Sequence, residues 1–444
     1  MSKKNSSDPV ARFLFVTSTL AVFFIYGVVV GKFHLFPYNF LEQAMTGFKS
    51  VFSTLMAKQE WYYSADSKRD VVIIPRANKD NRGLNLVTRI AADKKLAADI
   101  IDMDNRTIHH WDIDWFTIWP DVKHIGKEYI PKSRPGTHIH GAVVMENGDL
   151  IFNFEHCGLA RIDLNGKVVW RLPYQTHHSV HRHSNGNLWV CGQRDITKPT
   201  KLFPHRQLPF AEYTILEISP SGDLLEEWSV AELLAKNGYT GLLYMGGLRN
   251  FTTEVKGDIL HLNDVEPFPD DMKEGFFSPG DILVSLRNIN TVFVFNRQNN
   301  KIKFISTGRF VRQHDPDFID GNRFSVLDNN NIAAEQHGHQ SRIAIVSAPE
   351  GTVETFFRGK EKSPFYTDIA GKHQWLANGN LLITEARKGR AFEINRQGRV
   401  VWQYKNYIAD DIVGLVEEVQ RLPANYDAIF NKLGSGSVNT DSTN

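Results

Sequence analysis

Cysteine is almost absent from this chain, which has 444 residues but only two cysteines, Cys157 and Cys191. No Cys-x-x-Cys pair or other zinc-ligand spacing occurs, so the sequence argues against a structural zinc site. The two cysteines fall on the second strands of neighbouring predicted units. An exported domain would permit a disulfide. Two buried free thiols fit the sequence equally well, because cysteine is common in cores.

An excess of charge is also missing, because 51 Lys and Arg balance 50 Asp and Glu, for a formal net charge of +1. Such a balance gives no general attraction to nucleic acid or to an acidic surface, and we expect no nucleic-acid partner. What is plentiful is glycine, with 32 residues, and aromatic residues, at 11%. These suit a chain with many tight turns and packed sheets.

One long apolar run stands out, from Phe13 to Val30, with 18 residues and no charge. A helix of that length spans about 27 Å, close to the hydrocarbon thickness of a bilayer. Basic residues lie mainly before the run, which favours a cytoplasmic N-terminus. A cleaved signal peptide is the competing interpretation, although VVVGKF lacks the usual small-x-small cleavage site.

The sequence thus predicts a single-pass membrane protein whose main domain lies on the extracytoplasmic, periplasmic side. The C-terminal run GSGSVNTDSTN has the composition of a disordered segment. The expected regions are a cytoplasmic tail at 1–12, a transmembrane anchor at 13–31, a helical stalk or linker at 32–80, the main domain at 83–433 and a disordered tail at 434–444.

A repeated hairpin unit occupies much of the remaining chain. Each copy begins with a histidine, continues to a turn that contains glycine, and ends in an apolar strand. Units that repeat near every forty residues indicate a β-propeller or another stacked array. In a propeller the first strand of each blade lines the central channel, so we expect the repeat histidines at one mouth of that channel. They are His140, His178, His261, His314 and His373.

A second pattern, strand–turn–strand, follows the histidine hairpins and often ends in tryptophan, as at Trp170, Trp228 and Trp402. Asn-Gly and Ser-Gly turns between alternating apolar residues are strong hairpin signals. Six such outer hairpins predict an all-β fold, a six-bladed β-propeller whose first blade lacks a clear inner hairpin. The expected blades span 83–118, 138–172, 178–230, 247–306, 314–358 and 373–404.

Polar residues end the second strand of several hairpins, seven residues beyond the turn glycine. Hairpin geometry folds this end back beside the start of the first strand, which places Glu155 and Arg287 in a column next to the histidines. We expect Arg287 to lie near His261. A mouth with several histidines, an arginine and some carboxylates can bind an anionic, oxygen-rich group. A neutral imidazole there can also act as a nucleophile or base.

Plainer interpretations also apply to these histidines. A lone histidine at a strand start is more often a hydrogen-bonded structural residue than a catalyst, and His140 and His373 suit that role equally well. Three converging imidazoles could instead hold zinc or copper. An arginine in the same cluster would repel a dication, so we expect no metal and no cofactor. The other histidines near the motifs are expected to be hydrogen-bonded or solvated: His177, His181, His183, His337 and His339.

At these residues the sequence resembles the bacterial arylsulfotransferase family, from about Thr137 to Leu433. The resemblance implies a six-bladed propeller that moves a sulfuryl group from an aryl sulfate donor to a phenolic acceptor without a nucleotide donor. The motifs that carry it are HHSVHRHSNGNLW (177–189), HLNDVEPF (261–268), LVSLRNINTVFVFN (283–296), QHDPDFIDGN (313–322) and HQWLANGNLLITEA (373–386).

The resemblance also implies roles for single residues. His314, in QHD, matches the histidine that becomes transiently sulfated in the family. His261, in HLN, and Arg287, in SLRN, match the residues that hold the sulfuryl oxygens. His178, in HHS, matches the remaining catalytic histidine, with His177 as an alternative in register. The residues expected to contact substrate are Asn263, His140 and His373.

Two function hypotheses from different classes follow. The first is a membrane-anchored aryl sulfate:phenol sulfotransferase that works through a sulfohistidine, and the joint presence of His178, His261, Arg287 and His314 favours it. The second is a non-catalytic, membrane-anchored propeller that binds an anionic ligand or a partner protein. A metal-dependent oxidase is a third interpretation of the same histidines.

Overall fold

The chain is described from a computed structural model that divides it into two units, 1–60 and 61–444. Much of the predicted stalk at 32–80 and all but the first residue of the predicted tail at 434–444 lie outside the described residues, as do His337 and His339. The described residues are 8–33, 35–36, 61–66, 83–127, 129–204, 206–245, 255, 257–331, 340–359 and 364–434, with side chains to 430.

The described part of the first unit forms the helix Pro9–Phe33, which begins before and ends after the predicted span at 13–31. Its most apolar 18-residue window has a mean hydropathy of 2.3, and only 6% of that window is buried. The hydroxyl of Thr19 donates a hydrogen bond of 2.8 Å to the carbonyl oxygen of Phe15, which satisfies a polar group within the apolar helix. By length and composition this helix could be a membrane anchor or a signal sequence.

Strands dominate the second unit. In its described part they form six four-stranded antiparallel sheets and one three-stranded sheet. We number the strands along the chain and call the four-stranded sheets sheet 1 to sheet 6. Sheet 1 contains β2 (Asn85–Ile90), β3 (Leu96–Ile101), β4 (Thr107–Ile113) and β27 (Val416–Arg421); sheet 2 contains β5 (Ile139–Val144), β6 (Leu150–Phe154), β7 (Gly158–Ile162) and β8 (Val168–Leu172). Sheet 3 contains β9 (Gln175–Arg182), β10 (Leu188–Ile196), β11 (Phe210–Ile218) and β12 (Leu224–Ser229); sheet 4 contains β13 (Leu262–Pro267), β14 (Asp281–Leu286), β15 (Thr291–Asn296) and β16 (Lys301–Thr307). Sheet 5 contains β17 (His314–Asp320), β18 (Arg323–Asp328), β19 (Arg342–Ser347) and β20 (Thr352–Arg358); sheet 6 contains β21 (Lys372–Trp375), β22 (Leu381–Glu385), β23 (Arg390–Ile394) and β24 (Val400–Lys405).

Short elements connect and flank these sheets. The three-stranded sheet contains β1 (Tyr62–Ser64), β25 (Tyr407–Ala409) and β26 (Ile412–Gly414). Strand β1 lies within the predicted stalk or linker at 32–80, where Tyr62 to Ser64 pair with β26. Among the described residues of the second unit, the α-helices are Trp115–Ile118, Val230–Lys236 and Asp427–Gly434. The short 3₁₀ helices described there are Ala92–Lys94, Thr240–Tyr244, Arg287–Ile289, Ala386–Lys388 and Ala424–Tyr426.

Sheet 1 differs from the predicted first blade at 83–118. That segment supplies only β2, β3 and β4, and the fourth strand, β27, comes from the far end of the chain. Asn85 pairs with Arg421 and Val87 with Val419 across this junction. The long-range pairing explains why no inner hairpin of the repeated type precedes β2.

The first strands of the sheets contact one another in a cyclic order. β5 contacts β9, β9 contacts β13, β13 contacts β17, β17 contacts β21, β21 contacts β27 and β27 contacts β5. Apolar clusters fill the spaces between neighbouring sheets; Trp402 of sheet 6 and Val416 of sheet 1, for example, share one cluster. Burying a large apolar side chain contributes about 1.5–3 kcal/mol, so these clusters are the main source of stability between the sheets.

Candidate functional site

Four of the five repeat histidines meet, and we call them the four-histidine group. His178 lies at its centre: its ring centroid is 3.9 Å from that of His140, 5.1 Å from that of His261 and 6.2 Å from that of His314. His140 lies on β5, His178 on β9, His261 directly before β13 and His314 at the start of β17. Four sheets therefore each supply one imidazole.

The backbone is irregular beside each of these histidines. The pairing register of β5, β9, β13 and β17 shifts within two residues of the histidine. His178 and His261 both have a φ of 53°, in the left-handed region that residues other than glycine seldom adopt. A Cβ atom at Gly141 would overlap the carbonyl oxygen of His178, so only glycine allows β5 and β9 to approach this closely. Bulges redirect side chains, which brings the imidazoles together.

His314 has one nitrogen bound and one nitrogen free. Its Nδ1 lies 2.6 Å from Oδ1 of Asn329. The amide nitrogen of Asn329 donates to the carbonyl oxygens of Thr367, at 2.9 Å, and Ala370, at 2.8 Å, which orients Oδ1 as the acceptor. Nδ1 of His314 therefore carries the proton, and the lone pair is on Nε2. That Nε2 is buried and has no hydrogen-bond partner among the described residues.

Burial, followed by the positive charge of Arg287, holds the pKa of His314 well below the ordinary value for histidine. The ring is therefore neutral at physiological pH. A neutral imidazole with an unshared Nε2 lone pair in a buried position can act as a nucleophile.

Arg287 presents a buried guanidinium without a matching carboxylate. Its backbone N–H donates to the carbonyl oxygen of His261 at 3.0 Å, and its Nε donates to Oδ1 of Asn288 at 3.2 Å. In the described part of the chain no carboxylate lies within ion-pair distance of it. Burial and the neighbouring Arg312 lower the pKa of Arg287 to about 10, so it remains charged at neutral pH. An unpaired buried cation of this kind is suited to an anionic ligand.

His261 is paired with a carboxylate on its other nitrogen. Its Nδ1 bonds to Oδ2 of Asp258, whose second oxygen accepts a hydrogen bond of 2.8 Å from the hydroxyl of Tyr213. Although burial opposes it, the hydrogen bond from His261 lowers the pKa of Asp258 to about 2. Nε2 of His261 is buried and lacks a hydrogen-bond partner within the described structure. Asp258 can therefore orient the imidazole of His261, and Nε2 of that imidazole can accept a proton.

His178 and Asn263 complete the group. Nδ1 of His178 lies 2.9 Å from Nδ1 of His177, and burial lowers the pKa of both rings well below the ordinary value. The ring of His177 contacts His156 instead, which makes His178 the member that joins the other three. The amide of Asn263 donates to the carbonyl oxygen of Gln313 at 2.8 Å and links sheet 4 to sheet 5. A small cavity is lined by His140, His178, Asn263, His314, Asp315, Ala370, Gly371, Lys372 and Glu417.

The family model for arylsulfotransferases (ASST) matches residues 141–407, more than half of the chain. The chain belongs to the arylsulfotransferase family. Membership in this family indicates a sulfotransferase enzyme that acts on small aryl substrates. No curated protein matches the chain.

Solved structures show weak likenesses to this arylsulfotransferase family member. A protein of unknown function from Bacteroides caccae has 15% identity and a TM-score of 0.47. The match covers 77% of this chain and 99% of that protein's chain. A catalytically inactive virginiamycin B lyase from Staphylococcus aureus with quinupristin has 14% identity and a TM-score of 0.34. That match covers 62% of this chain and 72% of the lyase chain. The WD40 β-propeller domain of Doa1 has 10% identity and a TM-score of 0.38, and the match covers 81% of this chain and 95% of the Doa1 chain. Likenesses at this level carry no argument about function.

His373 occupies a different environment in this arylsulfotransferase family member. Its Nδ1 lies 3.0 Å from Oδ2 of Asp315, and its backbone N–H donates to the same oxygen at 2.5 Å. Its Nε2 lies 2.7 Å from the hydroxyl of Ser325. Both ring nitrogens are thus engaged by protein groups, and the structure favours a structural role for His373. Asp315 also forms an ion pair with Lys372, at 3.3 Å.

Two other histidines of the motifs lie next to carboxylates, and both cysteines are buried. Nε2 of His181 lies 3.2 Å from Asp264, and Nε2 of His183 lies 3.4 Å from Asp270, whereas Nδ1 of His183 is buried without a hydrogen-bond partner among the described residues. Cys157 and Cys191 are buried free thiols, which favours that alternative over a disulfide. Burial raises the pKa of Cys157 to about 12, so the thiol stays protonated.

Sequence reasoning missed several residues of the site. Asn329 follows β18 directly, one residue beyond the predicted column of polar residues. That position was the only feature of the sequence that pointed to it. Asp258 and Tyr213 belong to no repeated motif. Glu417 lies on β27, which the hairpin pattern did not include, and His138 stands two residues before a repeat histidine. Glu155 does contact His140, as the predicted column of polar residues requires.

Proposed function

We propose that this chain transfers a sulfuryl group from an aryl sulfate donor to a phenolic acceptor through a sulfohistidine at His314. The observation that carries the proposal is the buried, unpartnered Nε2 of a neutral His314, held in that tautomer by Asn329. The charge of Arg287 acts on the same ring, since it helps to lower the pKa of His314. A nucleophile and an anion-binding cation thus occupy one buried group.

The proposal includes the fold around the site. The cyclic contacts of the first strands, from β5 through β21 and β27 back to β5, support a closed six-bladed propeller with sheets 1 to 6 as its blades. Strand β27 would close the ring by joining the two ends of the domain. The four-histidine group would then lie at one mouth of the central channel, where a small molecule can enter.

In the first step, Nε2 of His314 attacks the sulfur of the aryl sulfate. The S–N bond forms as the bond between sulfur and the aryl oxygen breaks, and a phenolate leaves. Arg287 stabilises the negative charge on the sulfuryl oxygens, as cationic clamps do in phosphoryl transfer. His261, when protonated at Nε2, donates to another of these oxygens while Asp258 holds its Nδ1.

In the second step, the oxygen of the acceptor phenol attacks the same sulfur. The S–N bond breaks, and Nε2 of His314 regains its lone pair. The phenolic proton passes to a neutral imidazole, for which His178 is placed beside His314, and then to the departed phenolate. The net reaction needs no nucleotide and no metal. Asn263 and His140 line the cavity next to His314 and would contact the substrate.

We also propose that the protein is anchored in the membrane. The apolar helix Pro9–Phe33 would anchor the protein in the membrane, with the sheets on the extracytoplasmic, periplasmic side. The sign of the flanking charges supports this orientation. Recovery of a mature form that begins beyond Val30 would identify the helix as a cleaved signal instead.

Incubation of the full chain with 4-nitrophenyl sulfate alone tests the central step. We expect a burst of one 4-nitrophenol per chain and a peptide that contains His314 with one added sulfuryl group. Addition of phenol should then start turnover. If neither a burst nor a labelled histidine appears with any aryl sulfate, the chain is a non-catalytic propeller that binds an anionic ligand or a partner.

A further inference from the structure

Two histidines and two glutamates meet beside the four-histidine group, and we call them the His₂Glu₂ cluster: His138, His140, Glu155 and Glu417. His140 lies on β5, His138 just before it, and Glu155 directly after β6, where the hairpin returns. Glu417 comes from β27 of sheet 1. The cluster therefore joins two sheets whose strands are far apart in the sequence, and the four side chains are between 7% and 20% exposed.

The donor atoms have the spacing of ligands around one ion. Nε2 of His138 lies 3.3 Å from Oε2 of Glu155 and 3.4 Å from Oε1 of Glu417. Nε2 of His140 lies 3.7 Å from Oε2 of Glu417, and its Nδ1 is in direct contact with Glu155. Nitrogen and oxygen ligands at 2.0–2.2 Å from a tetrahedral zinc ion stand about 3.3 Å from one another. One ligand atom from each of His138, His140 and Glu155 lies within 4.8 Å of the others.

One acceptor of the cluster is left without a donor. The side chain of Glu417 is only 7% exposed, and its Oε2 has no hydrogen-bond partner among the described residues. Glu417 also lines the small cavity shared with His140. A buried carboxylate oxygen without a partner costs free energy, and a cation in the cluster would satisfy it.

We propose that the His₂Glu₂ cluster binds one divalent transition-metal ion of the zinc class. Imidazole and carboxylate together suit such an ion, and the two carboxylates neutralise its charge. The proposal replaces the expectation of no metal, which rested on repulsion by an arginine. Arg287 follows β14 of sheet 4 and bonds to His261, whereas the cluster lies between sheets 1 and 2. The carboxylate of Glu155 acts electrostatically on Arg287, so it offsets part of that repulsion.

The metal site does not depend on the sulfohistidine. Its position next to His178, whose ring is 3.9 Å from that of His140, would add positive charge where an anionic substrate binds. No step of the proposed transfer requires the ion, so the two proposals succeed or fail separately.

Metal binding to the purified full-length chain in detergent tests the site. After removal of metal with a chelator, the chain is titrated with Zn²⁺ by calorimetry, and its metal content is measured after gel filtration. We expect one equivalent of Zn²⁺ per chain and a rise in the thermal midpoint. Glu417→Gln, which keeps the shape of the side chain, should weaken binding at least ~10-fold.

Two further variants keep the outcome interpretable. His183→Gln alters a histidine–carboxylate pair outside the cluster and should bind Zn²⁺ like the native chain. Co²⁺ bound to the native chain should give the absorption bands of a four-coordinate site, and His138→Gln should lose them. If no Zn²⁺ binds stoichiometrically, or if Glu417→Gln and His138→Gln bind it as tightly as the native chain, the site does not exist.

Discussion

His314 and His373 begin as the same feature of the sequence but have different environments. Both are buried histidines on the first strands of adjacent sheets, sheet 5 and sheet 6. His314 keeps a free Nε2, whereas both ring nitrogens of His373 are bound, by Asp315 and Ser325. Burial and Arg287 lower the pKa of His314. Position in a repeat therefore does not decide whether a histidine keeps an unpartnered ring nitrogen; the packing around it does.

The surroundings of the two histidines differ in the same way. Near His373, a cavity of about 380 Å³ is lined by a network of charged side chains that includes Lys372, Asp315 and Asp317. Charges there are largely paired with one another. Around His314 the cation Arg287 lacks such a pair in the described structure, and this leaves its charge for a ligand.

The largest expected effect comes from removing the imidazole of His314. His314→Ala should abolish the burst of 4-nitrophenol and lower turnover by more than about 10³-fold, because no other group forms the covalent intermediate. Rapid-mixing kinetics with 4-nitrophenyl sulfate measure both quantities. Full turnover in His314→Ala would move the nucleophile to another histidine, with His178 as the first candidate.

Arg287→Lys should have the next largest effect. Lysine keeps the positive charge but cannot reproduce the planar pair of donors, so transfer should slow by about 10²-fold. Donor binding should fall much less than the rate. Steady-state kinetics that separate kcat from KM provide the test. A raised KM with an unchanged kcat would show that Arg287 only binds the donor.

Asn329→Asp should change the pH dependence of the burst. A carboxylate beside Nδ1 stabilises the imidazolium and raises the pKa of His314, so the free lone pair is lost at higher pH than in the native chain. The rate should fall as the pH drops through that raised pKa and recover as the pH rises. Burst rates between pH 5 and 9 measure this shift.

A matched control for this variant is Asn147→Asp, at an exposed turn where the side chain accepts a hydrogen bond from the N–H of Asp149. This variant should leave the pH profile unchanged. A profile of Asn329→Asp that also matches the native one would show that Asn329 does not set the protonation of His314.

His373→Ala should have the smallest effect on the chemical step. The loss of the imidazole removes its bonds to Asp315 and Ser325, which keep their contacts with Lys372 and Trp375. The free energy of unfolding should therefore fall by about 1–3 kcal/mol. Denaturant unfolding measures this change, and the burst should keep its full amplitude. Loss of the burst from a folded His373→Ala would break the contrast with His314 and restore the predicted contact with substrate.

Much of the site could be predicted because its residues lie in motifs with local geometry. His178, His261 and His314 each begin a hairpin, and turn glycines such as Gly148, with a φ of 88°, define where each strand returns. That local regularity is sufficient to place first strands side by side. The partners of these histidines are less predictable, because Asn329, Asp258 and Tyr213 follow no repeat.

By itself the sequence determined the hairpins, the antiparallel sheets, the apolar helix at the N-terminus and the family, since each depends on residues close together in the chain. Only the tertiary structure decided that β27 joins sheet 1 and brings Glu417 to His138, because that pairing spans more than 270 residues. It also decided which histidines keep an unpartnered ring nitrogen, His261 and His314 among them. Burial and hydrogen bonding between sheets are set by long-range packing, which no local pattern records.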